Sequence, residues 1–153
     1  EGPDDIRQLL TSGKWRITLP SEAEWEKAAR GDQATEFPWG DDPDPDKSNY
    51  SAAGIGSTSA VGCFPDGASR CGCLDMAGNA WEWTRSVYQD YPYDPADKAR
   101  EDLTAGSDVA RVLRGGAFYS SSGSVRCAYR LRGYPYNRSS FLGFRIVLSP
   151  FGS

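Results

Sequence analysis

Apolar and polar residues alternate regularly in only a few short stretches of this chain. The alternation over Trp15–Leu19 predicts a strand, which Pro20 ends. The next residues have the capping-box arrangement, in which the Ser21 hydroxyl and the Glu24 carboxylate each accept the backbone N–H of the other residue. Ala, Glu and Lys favour helix in the turns that follow, so the sequence predicts a helix over Glu22–Arg30.

No helical or strand period is present between Gly31 and Gly78, where Gly, Pro, Asp and Ser recur. This pattern predicts an ordered loop, and so long a loop needs anchoring within a compact domain. The aromatic residues of Phe37–Gly40 are expected to anchor it by inserting into the core. The acidic stretch Asp41–Asp46 lacks the ligand spacing of an EF-hand and is interpreted as a solvated turn.

A strand is predicted where the loop ends, with Trp81 and Trp83 on one face and Glu82 on the other. A carboxylate between two tryptophans needs a partner, which is either an arginine of the C-terminal part or a cation shared with backbone carbonyls. The remaining strand candidates are Val109–Arg114 and Gly143–Leu148. They are expected to be paired with each other and central.

The stretch from residue 114 to residue 145 combines two sets of residues. The first is a framework of residue types that fix backbone paths and join loops. Its members are Arg114, Gly115, Gly116, Val125, Arg126, Ala128, Arg130, Pro135, Arg138, Gly143, Phe144 and Arg145. Tyr, Ser, Gly, Asn, Leu and Phe fill the positions between, a composition typical of antibody paratopes. The combination predicts a binding surface, and the alternative interpretation is an ordinary surface loop.

Charge and hydropathy argue against two classes of partner. The 153 residues fit one domain, and 17 Lys and Arg against 21 Asp and Glu give a net charge of −4. The C-terminal arginines are interspersed with other residues, so the concentrated basic face that nucleic acid requires is not expected. No apolar run approaches the roughly 20 residues of a membrane span, and the first residues lack signal-peptide features.

The cysteine and histidine content limits the possible chemistry. The chain contains 0 histidines, which removes imidazole bases and the usual zinc and non-haem iron ligand sets. Cysteines occur at 63, 71, 73 and 127, and Cys71 and Cys73 lack the spacing of a zinc knuckle or thioredoxin-type pair. Free or buried thiols, a disulfide among Cys63, Cys71 and Cys73, and metal binding all remain open.

A set of motifs in a fixed order points to a known family. The motifs are Leu19–Glu26 (LPSEAEWE), Phe37–Gly40 (FPWG), Met76–Thr84 (MAGNAWEWT), Arg114–Gly116 (RGG) and Gly143–Arg145 (GFR). Together they resemble the formylglycine-generating enzyme (sulfatase-modifying factor) family from Trp15 to about Leu148. The resemblance implies an α+β, C-type-lectin-like fold with low regular secondary structure and long ordered loops. It also implies one domain over residues 1–153 whose usual N-terminal part is missing from this sequence and acts as a partner segment.

The resemblance implies that this chain lacks the catalytic residues of the family's enzymes. Enzymatic members of the family oxidise a substrate cysteine with a pair of cysteines that bind copper shortly after the Arg-Gly-Gly motif. Ser120 falls where the first cysteine would be, and Cys127 matches a different position. The iron-dependent sulfoxide synthases that share this domain use histidines, which this chain lacks. We therefore expect no enzyme activity, no copper and no iron.

Structural calcium is the cofactor that the resemblance leaves possible. One site matches the carbonyls of Ala77, Gly78 and Ala80 with the carboxylate of Glu82, all hard oxygen ligands. The ligands that match the other, more doubtful site are Asn49 and the carbonyls of Tyr50 and Ile55. At that site alanine occupies the position of the acidic ligand.

The C-terminal stretch is most similar to the variable proteins of diversity-generating retroelements. In these proteins error-prone reverse transcription rewrites template adenines, so asparagine codons change while a framework is retained. The residue types at the positions between the framework residues can all be encoded by changing the first two bases of an asparagine codon. The positions expected to vary and to face solvent are Tyr119, Ser120, Ser121, Gly123, Ser124, Tyr129, Leu131, Gly133, Tyr134, Tyr136, Asn137, Ser139, Ser140 and Phe141.

These observations favour a non-catalytic protein that binds a protein or peptide ligand through a diversified surface. Tyrosines and Phe141 are the expected anchors, and the serines and Asn137 the adaptable hydrogen-bonding partners. The alternatives are a formylglycine-generating-type oxidase, its inactive paralogue, or a structural accessory domain of a larger bacterial protein.

Overall fold

Regular secondary structure covers a small part of the chain in the computed structural model, which describes residues 3–92, 94 and 96–150. The helices are α1 (Pro3–Thr11) and α2 (Glu22–Arg30). The strands are β1 (Trp15–Thr18), β2 (Trp81–Val87), β3 (Arg111–Arg114), β4 (Leu131–Gly133), β5 (Leu142–Phe144) and β6 (Val147–Pro150). Neither helix of the described residues has the length and apolar composition that crossing a membrane requires. The predicted α+β fold with little regular structure is confirmed.

Helix α2 begins as its sequence predicts. The Ser21 hydroxyl accepts the Glu24 N–H at 3.1 Å, and the Glu24 carboxylate accepts the Ser21 N–H at 2.7 Å. The inner face of the helix places Trp25 in a buried cluster with Met76 and Cys127. The helix is therefore held by local capping at its start and by long-range packing along its length.

Two separate sheets organise the strands. The larger one has the order β4-β3-β2-β5, with β2 antiparallel to β3 and parallel to β5. The smaller one pairs β1 with β6. The expected pairing of Val109–Arg114 with Gly143–Leu148 is wrong, because β2 lies between them. The second stretch also divides between the two sheets, and Arg145, which lies between β5 and β6, binds Glu82 on β2.

The two faces of β2 have the predicted characters. Trp81 is buried and packs in one cluster with Trp83 and Leu113. The carboxylate of Glu82 lies on the opposite face and accepts the indole N–H of Trp25 at 2.6 Å. The strand thus joins the apolar core on one side to a polar network on the other.

The long loop before β2 is anchored by aromatic residues, as predicted. The rings of Phe37 and Trp39 stack with centroids 5.6 Å apart. Phe37 belongs to a buried cluster with Tyr50 and Val125, so it ties the loop to the C-terminal segment. Regular structure in this loop is limited to the short 3-10 turns Ser51–Ala53 and Pro65–Gly67 in the residues that the structure describes.

Candidate ligand-binding face

A buried network of arginines and glutamates underlies the C-terminal segment. Glu22 is only 1% exposed and lies within ion-pair distance of the guanidiniums of Arg100, Arg114 and Arg130. The Nη2 of Arg130 donates to the Glu22 carboxylate at 2.9 Å. Burial by itself would lower the pKa of Arg130, but the hydrogen bonds that Arg130 donates to Glu22 and the negative charge of that carboxylate outweigh burial and raise the pKa. Each of the three guanidiniums is therefore paired with the same buried carboxylate.

Arg114 links this network to the backbone of the C-terminal segment. Its Nη1 donates to the carbonyl of Cys127 at 2.8 Å and to that of Tyr129 at 3.1 Å. Its Nη2 bonds to the carboxylate of Glu26, and the guanidinium lies 5.7 Å from the Trp25 ring centre. One buried side chain thus connects α2 to the start of the predicted variable segment. We call Glu22, Glu26, Arg100, Arg114 and Arg130 the arginine network.

Arg145 is the partner that Glu82 requires. Its Nε and Nη2 donate to the two carboxylate oxygens at 2.6 and 2.7 Å, which is the bidentate geometry of a strong ion pair. The same Nη2 also donates to the carbonyls of Leu74 and Asp75 at 3.2 Å. Of the two partners expected for this carboxylate, the structure contains the arginine.

The Glu82 ligand set does not fit calcium in this arrangement. Both carboxylate oxygens accept hydrogen bonds from Arg145, and one of them also accepts the Trp25 indole N–H. The carbonyl of Ala77 accepts the Ser48 hydroxyl at 2.8 Å. A cation at Glu82 would have to displace a guanidinium or lie beside it, and like charges at that distance repel.

The second ligand set has one feature that fits a cation. The side-chain oxygen of Asn49 is buried and accepts no hydrogen bond from the described residues. However, the carbonyl of Tyr50 already accepts the N–H of Ala53, and Ala53 supplies no charge. Carboxylates give a calcium site most of its affinity, so this set favours only weak binding. Calcium at the second place remains a prediction, whereas the contacts of Glu82 and Ala77 argue against it at the first.

Aromatic side chains of the C-terminal segment form two groups that border one pocket, and we call them together the aromatic face. It consists of Phe118, Tyr119, Phe141, Tyr134 and Tyr136. Tyr119 meets Phe118 and Phe141 edge to face, with ring centres 5.4 and 5.1 Å apart. Tyr134 and Tyr136 stack in parallel at 5.5 Å. The three tyrosines are 50%, 39% and 63% exposed in chain order, which is unusual for rings outside a contact surface.

The positions predicted to vary divide into three groups by exposure. Those that are exposed are Tyr119, Ser121, Gly123, Leu131, Tyr134, Tyr136, Asn137 and Ser140. Those that are half-buried are Ser124, Tyr129, Ser139 and Phe141. The buried ones are Ser120 and Gly133. The expectation that all of them face solvent is therefore wrong for the last two.

Ser120 is buried because its hydroxyl has a structural role. The oxygen accepts the N–H of Ala117 at 3.0 Å, and the Ser120 carbonyl accepts the N–H of Ser51 at 3.0 Å. A serine closing a tight turn in this way is a common local motif. The side chain is therefore committed inside the protein rather than presented to a ligand.

Gly133 is buried because two core side chains leave no room for a larger residue. A Cβ added there would lie 2.7 Å from the ring of Trp83 and 3.0 Å from Leu113. Such contacts are shorter than van der Waals packing permits. Gly133 is thus a position that packing restricts, despite its place among the predicted variable residues.

Two other predicted ligand contacts also have internal partners. Tyr129 packs against Trp81 with ring centres 5.9 Å apart. The side-chain oxygen of Asn137 accepts the N–H of Tyr134 at 2.8 Å and closes the turn between them. These residues position their neighbours and leave only part of their own surface for contact with a ligand.

A pocket of about 340 Å³ opens beside the aromatic face. Its lining includes Leu113 and Leu142 from the sheet and Tyr134 and Phe141 from the aromatic face. Arg132 also lines it, although no pattern in the sequence marks this residue as part of a site. In the chain Arg132 lies between the framework residues Arg130 and Arg138, and its strand of three residues is too short to show a periodic pattern.

The four cysteines are thiols in the structure. Cys63 and Cys71 are exposed, Cys73 is half-buried and Cys127 is buried. Burial raises the pKa of Cys127 to about 12, so this thiol is protonated at neutral pH and unsuited to nucleophilic or copper chemistry. A group of three or more Cys, Asp or Glu side chains arranged to hold a metal does not occur among the described residues.

Comparison with known proteins identifies the family. The model of the sulfatase-modifying factor enzyme 1-like domain matches residues 10–150. The chain belongs to this family. The sulfatase-modifying factor resemblance inferred from the motifs is thereby confirmed.

Relatives of the sulfatase-modifying factor family include enzymes and a variable protein. Hercynine oxygenase of Mycobacterium tuberculosis is 38% identical over an alignment of 137 residues that covers 84% of this chain and 32% of that protein. The formylglycine-generating enzyme of the same organism is 32% identical over an alignment of 172 residues, gaps included, that covers 97% of this chain and 55% of that protein. Treponema denticola variable protein 1 superposes with a TM-score of 0.70 at 29% identity, covering 85% of this chain and 46% of that one.

The chain spans less than two thirds of the length of each of these relatives. What is similar is therefore the domain, and the resemblance to a variable protein extends to its fold.

Proposed function

We propose that this domain binds a protein or peptide ligand through the aromatic face and has no catalytic role. The observation that carries the proposal is the placement of Tyr119, Tyr134 and Tyr136. Their rings are exposed, and the buried Arg114 holds the backbone between Tyr119 and Tyr134 through the carbonyls of Cys127 and Tyr129. Rigid aromatic rings supply contact area with little loss of conformational entropy, which is why they dominate binding sites.

The similarity to Treponema denticola variable protein 1 supports a diversified surface. Under this proposal the exposed and half-buried positions of the segment vary between copies of the gene. Arg114 and Arg130 are fixed because each pairs with buried Glu22. Gly133 is fixed by packing and Ser120 by its turn. Variation is thus confined to side chains whose replacement leaves the scaffold intact.

A dense array of short random-sequence peptides tests the proposal. We expect the wild-type domain to bind a reproducible subset of peptides and the Tyr134→Ala/Tyr136→Ala variant to lose that subset. Leu103→Ala removes a comparably exposed apolar side chain elsewhere on the surface and serves as the control. An unchanged pattern in the double variant would place the binding site elsewhere and overturn the proposal.

The enzymatic relatives favour a second candidate, a formylglycine-generating-type oxidase. Ser120 and the protonated Cys127 argue against it, because neither provides a thiolate for copper. Copper-dependent conversion of a sulfatase-derived peptide cysteine, followed by mass spectrometry, distinguishes the two. Turnover that depends on this chain would establish the oxidase and exclude a purely binding role.

We further infer that another part of the family domain packs on the β1–β6 sheet. Ile17 on β1 and Ile146 just before β6 are exposed, and so is Phe144, two residues before Ile146 at the end of β5. Large exposed apolar side chains indicate a contact surface. Co-purification with the N-terminal part of a family domain, lost on Phe144→Ser, tests this. Binding that is insensitive to Phe144 would contradict it.

A further inference from the structure

The pocket beside the aromatic face combines an apolar lining with two cationic side chains. Leu113, Leu131 and Leu142 provide apolar surface, and Arg132 and Arg138 also line the pocket. None of the residues lining it is acidic. The two guanidiniums thus give the pocket a positive charge, and no lining residue carries a negative one.

The state of these two arginines differs from that of the arginine network. Both side chains are exposed, and Arg138 forms no ion pair or hydrogen bond with the described residues. The guanidinium of Arg132 lies 5.9 Å from the ring centre of Tyr88, a contact that leaves its N–H groups available. Arg114 and Arg130, in contrast, are each paired with a carboxylate. Unpaired cations are unexpected on a surface whose protein carries a net charge of −4.

We propose that the pocket binds an acidic peptide segment, with an Asp or Glu carboxylate on Arg132 and Arg138 and a neighbouring apolar side chain against the leucines. This inference rests on the proposed function, because it assigns a ligand class to the same face. Guanidinium and carboxylate match in geometry and charge, and a partly desolvated pair is stronger than an exposed one. The aromatic rings beside the pocket hold the rest of the peptide.

A nucleic acid is a less suitable occupant than a peptide. Single-stranded nucleic acid requires a groove with many cations along its backbone, in addition to stacking rings. This face offers Arg132 and Arg138 on a protein that is acidic overall. One or two carboxylates match that charge, whereas a chain of phosphates does not.

The two arginines also explain how a varying surface can keep one ligand class. Neither Arg132 nor Arg138 is among the positions predicted to vary. Substitutions at Leu131, Tyr134 and Asn137 around them would change the apolar and hydrogen-bonding contacts and leave the cations in place. Different copies of the domain would then select different sequences from a common pool of acidic peptides.

The test uses three matched peptide sets on one array, probed with the intact chain. The first set places Glu beside Leu or Phe, the second replaces Glu by Gln, and the third replaces it by Lys. Peptides that bind are then titrated against Arg132→Gln, Arg138→Gln and the control Arg126→Gln. Arg126 is an exposed arginine of the same segment outside the pocket, near Glu36 at 3.8 Å. None of these changes removes a buried contact, so all three variants are expected to fold.

We expect the Glu set to bind and the Gln set to bind about tenfold more weakly, since one charge-assisted pair is lost. Arg138→Gln and Arg132→Gln should each weaken the Glu set by about three- to tenfold and leave the Gln set unchanged. Arg126→Gln should leave both sets within about twofold.

Two results would overturn the inference. Equal binding of the Glu and Gln sets, still lost in Tyr134→Ala/Tyr136→Ala, would leave the proposed function intact and remove the acidic class. Tighter binding of a single-stranded oligothymidylate than of any peptide would replace the peptide by nucleic acid. If no peptide set depends on the tyrosines, the proposed function fails as well.

Discussion

Arg114 and Arg130 of the arginine network belong to the same C-terminal segment as the aromatic face, but the two regions differ in how their side chains are held. In the network the charges are paired, and the buried carboxylate of Glu22 binds both Arg114 and Arg130. On the aromatic face Tyr134 and Tyr136 contact mainly each other and solvent. The difference shows how one segment can fix its backbone path and still leave side chains replaceable. The scaffold depends on a few buried residues, and the surface can change around them.

Removing the central carboxylate should have the largest effect on stability. Glu22→Gln leaves the guanidiniums of Arg100, Arg114 and Arg130 buried without their shared counter-charge. Breaking a buried ion pair costs about 3–5 kcal/mol, so we expect urea unfolding to show a loss of that order. The exposed Lys27→Gln serves as the control and should leave the melting temperature unchanged. Equal effects of the two substitutions would mean that the network does not hold the scaffold.

Two glycines of the same segment offer a sharper comparison. Gly133→Ala brings a Cβ within 2.7 Å of the Trp83 ring and should cost about 1–3 kcal/mol in unfolding free energy. Gly123→Ala meets nothing closer than the Ser121 hydroxyl at 3.9 Å and should change it by less than about 1 kcal/mol. Urea denaturation measures both. A larger loss of unfolding free energy for Gly123→Ala than for Gly133→Ala would contradict the assignment of Gly133 to the scaffold and Gly123 to the surface.

Acid should weaken the scaffold in a defined pH range. Burial alone would raise the pKa of Glu26, but Arg114 and Arg30 outweigh it, and the pKa falls below the ordinary value of 4.5. A lowered pKa in the folded state stabilises the protein above pH 4.5, and that contribution is lost as pH falls through the folded pKa. The melting temperature should therefore drop below pH 4.5, and Glu26→Gln should reduce that drop.

Glu101 provides an internal control of opposite sign. Burial raises its pKa above 4.5, and the hydrogen bond from Ser86 and the charge of Arg85 do not offset this. Its ionisation therefore costs stability as pH rises above 4.5. Glu101→Gln should change the melting temperature above pH 4.5 and leave the drop below it in place. The same pH profile for both variants would contradict the assignment of these shifts.

The variant with the largest expected effect on binding, Tyr134→Ala/Tyr136→Ala, should have the smallest effect on stability. Tyr134→Ala/Tyr136→Ala removes a stacked pair with little buried area, so the unfolding free energy should change by less than about 1 kcal/mol. Thermal unfolding checks this on the same sample that is used for the peptide array. A loss comparable to that of Glu22→Gln would show that these rings are part of the core.

Signals that are local in sequence predicted their structures well. The capping box at Ser21 and Glu24, the helix that follows it and the two faces of β2 depend on residues a few positions apart. Strand pairing was predicted incorrectly, because β2 lies between β3 and β5 in the sheet although it precedes both of them in the chain. No short-range pattern reports such an arrangement.

The same limit applies to the candidate site. The exposed tyrosines follow from their spacing between framework residues, and the structure places Tyr134 and Tyr136 on one stack. The burial of Gly133 depends on Trp83, which crosses from another strand of the sheet. Composition alone predicts the same role for Gly133 and Gly123, whereas only Gly133 is packed against core side chains.

The most direct test of the central claim is the peptide-array pattern of a single variant with Tyr119→Asn, Tyr134→Ser and Tyr136→Ser. These changes replace three exposed rings and leave Glu22 and its arginines untouched. We expect this variant to fold and to lose the set of peptides that the wild type binds. A folded variant that binds the same peptides as the wild type would contradict the claim.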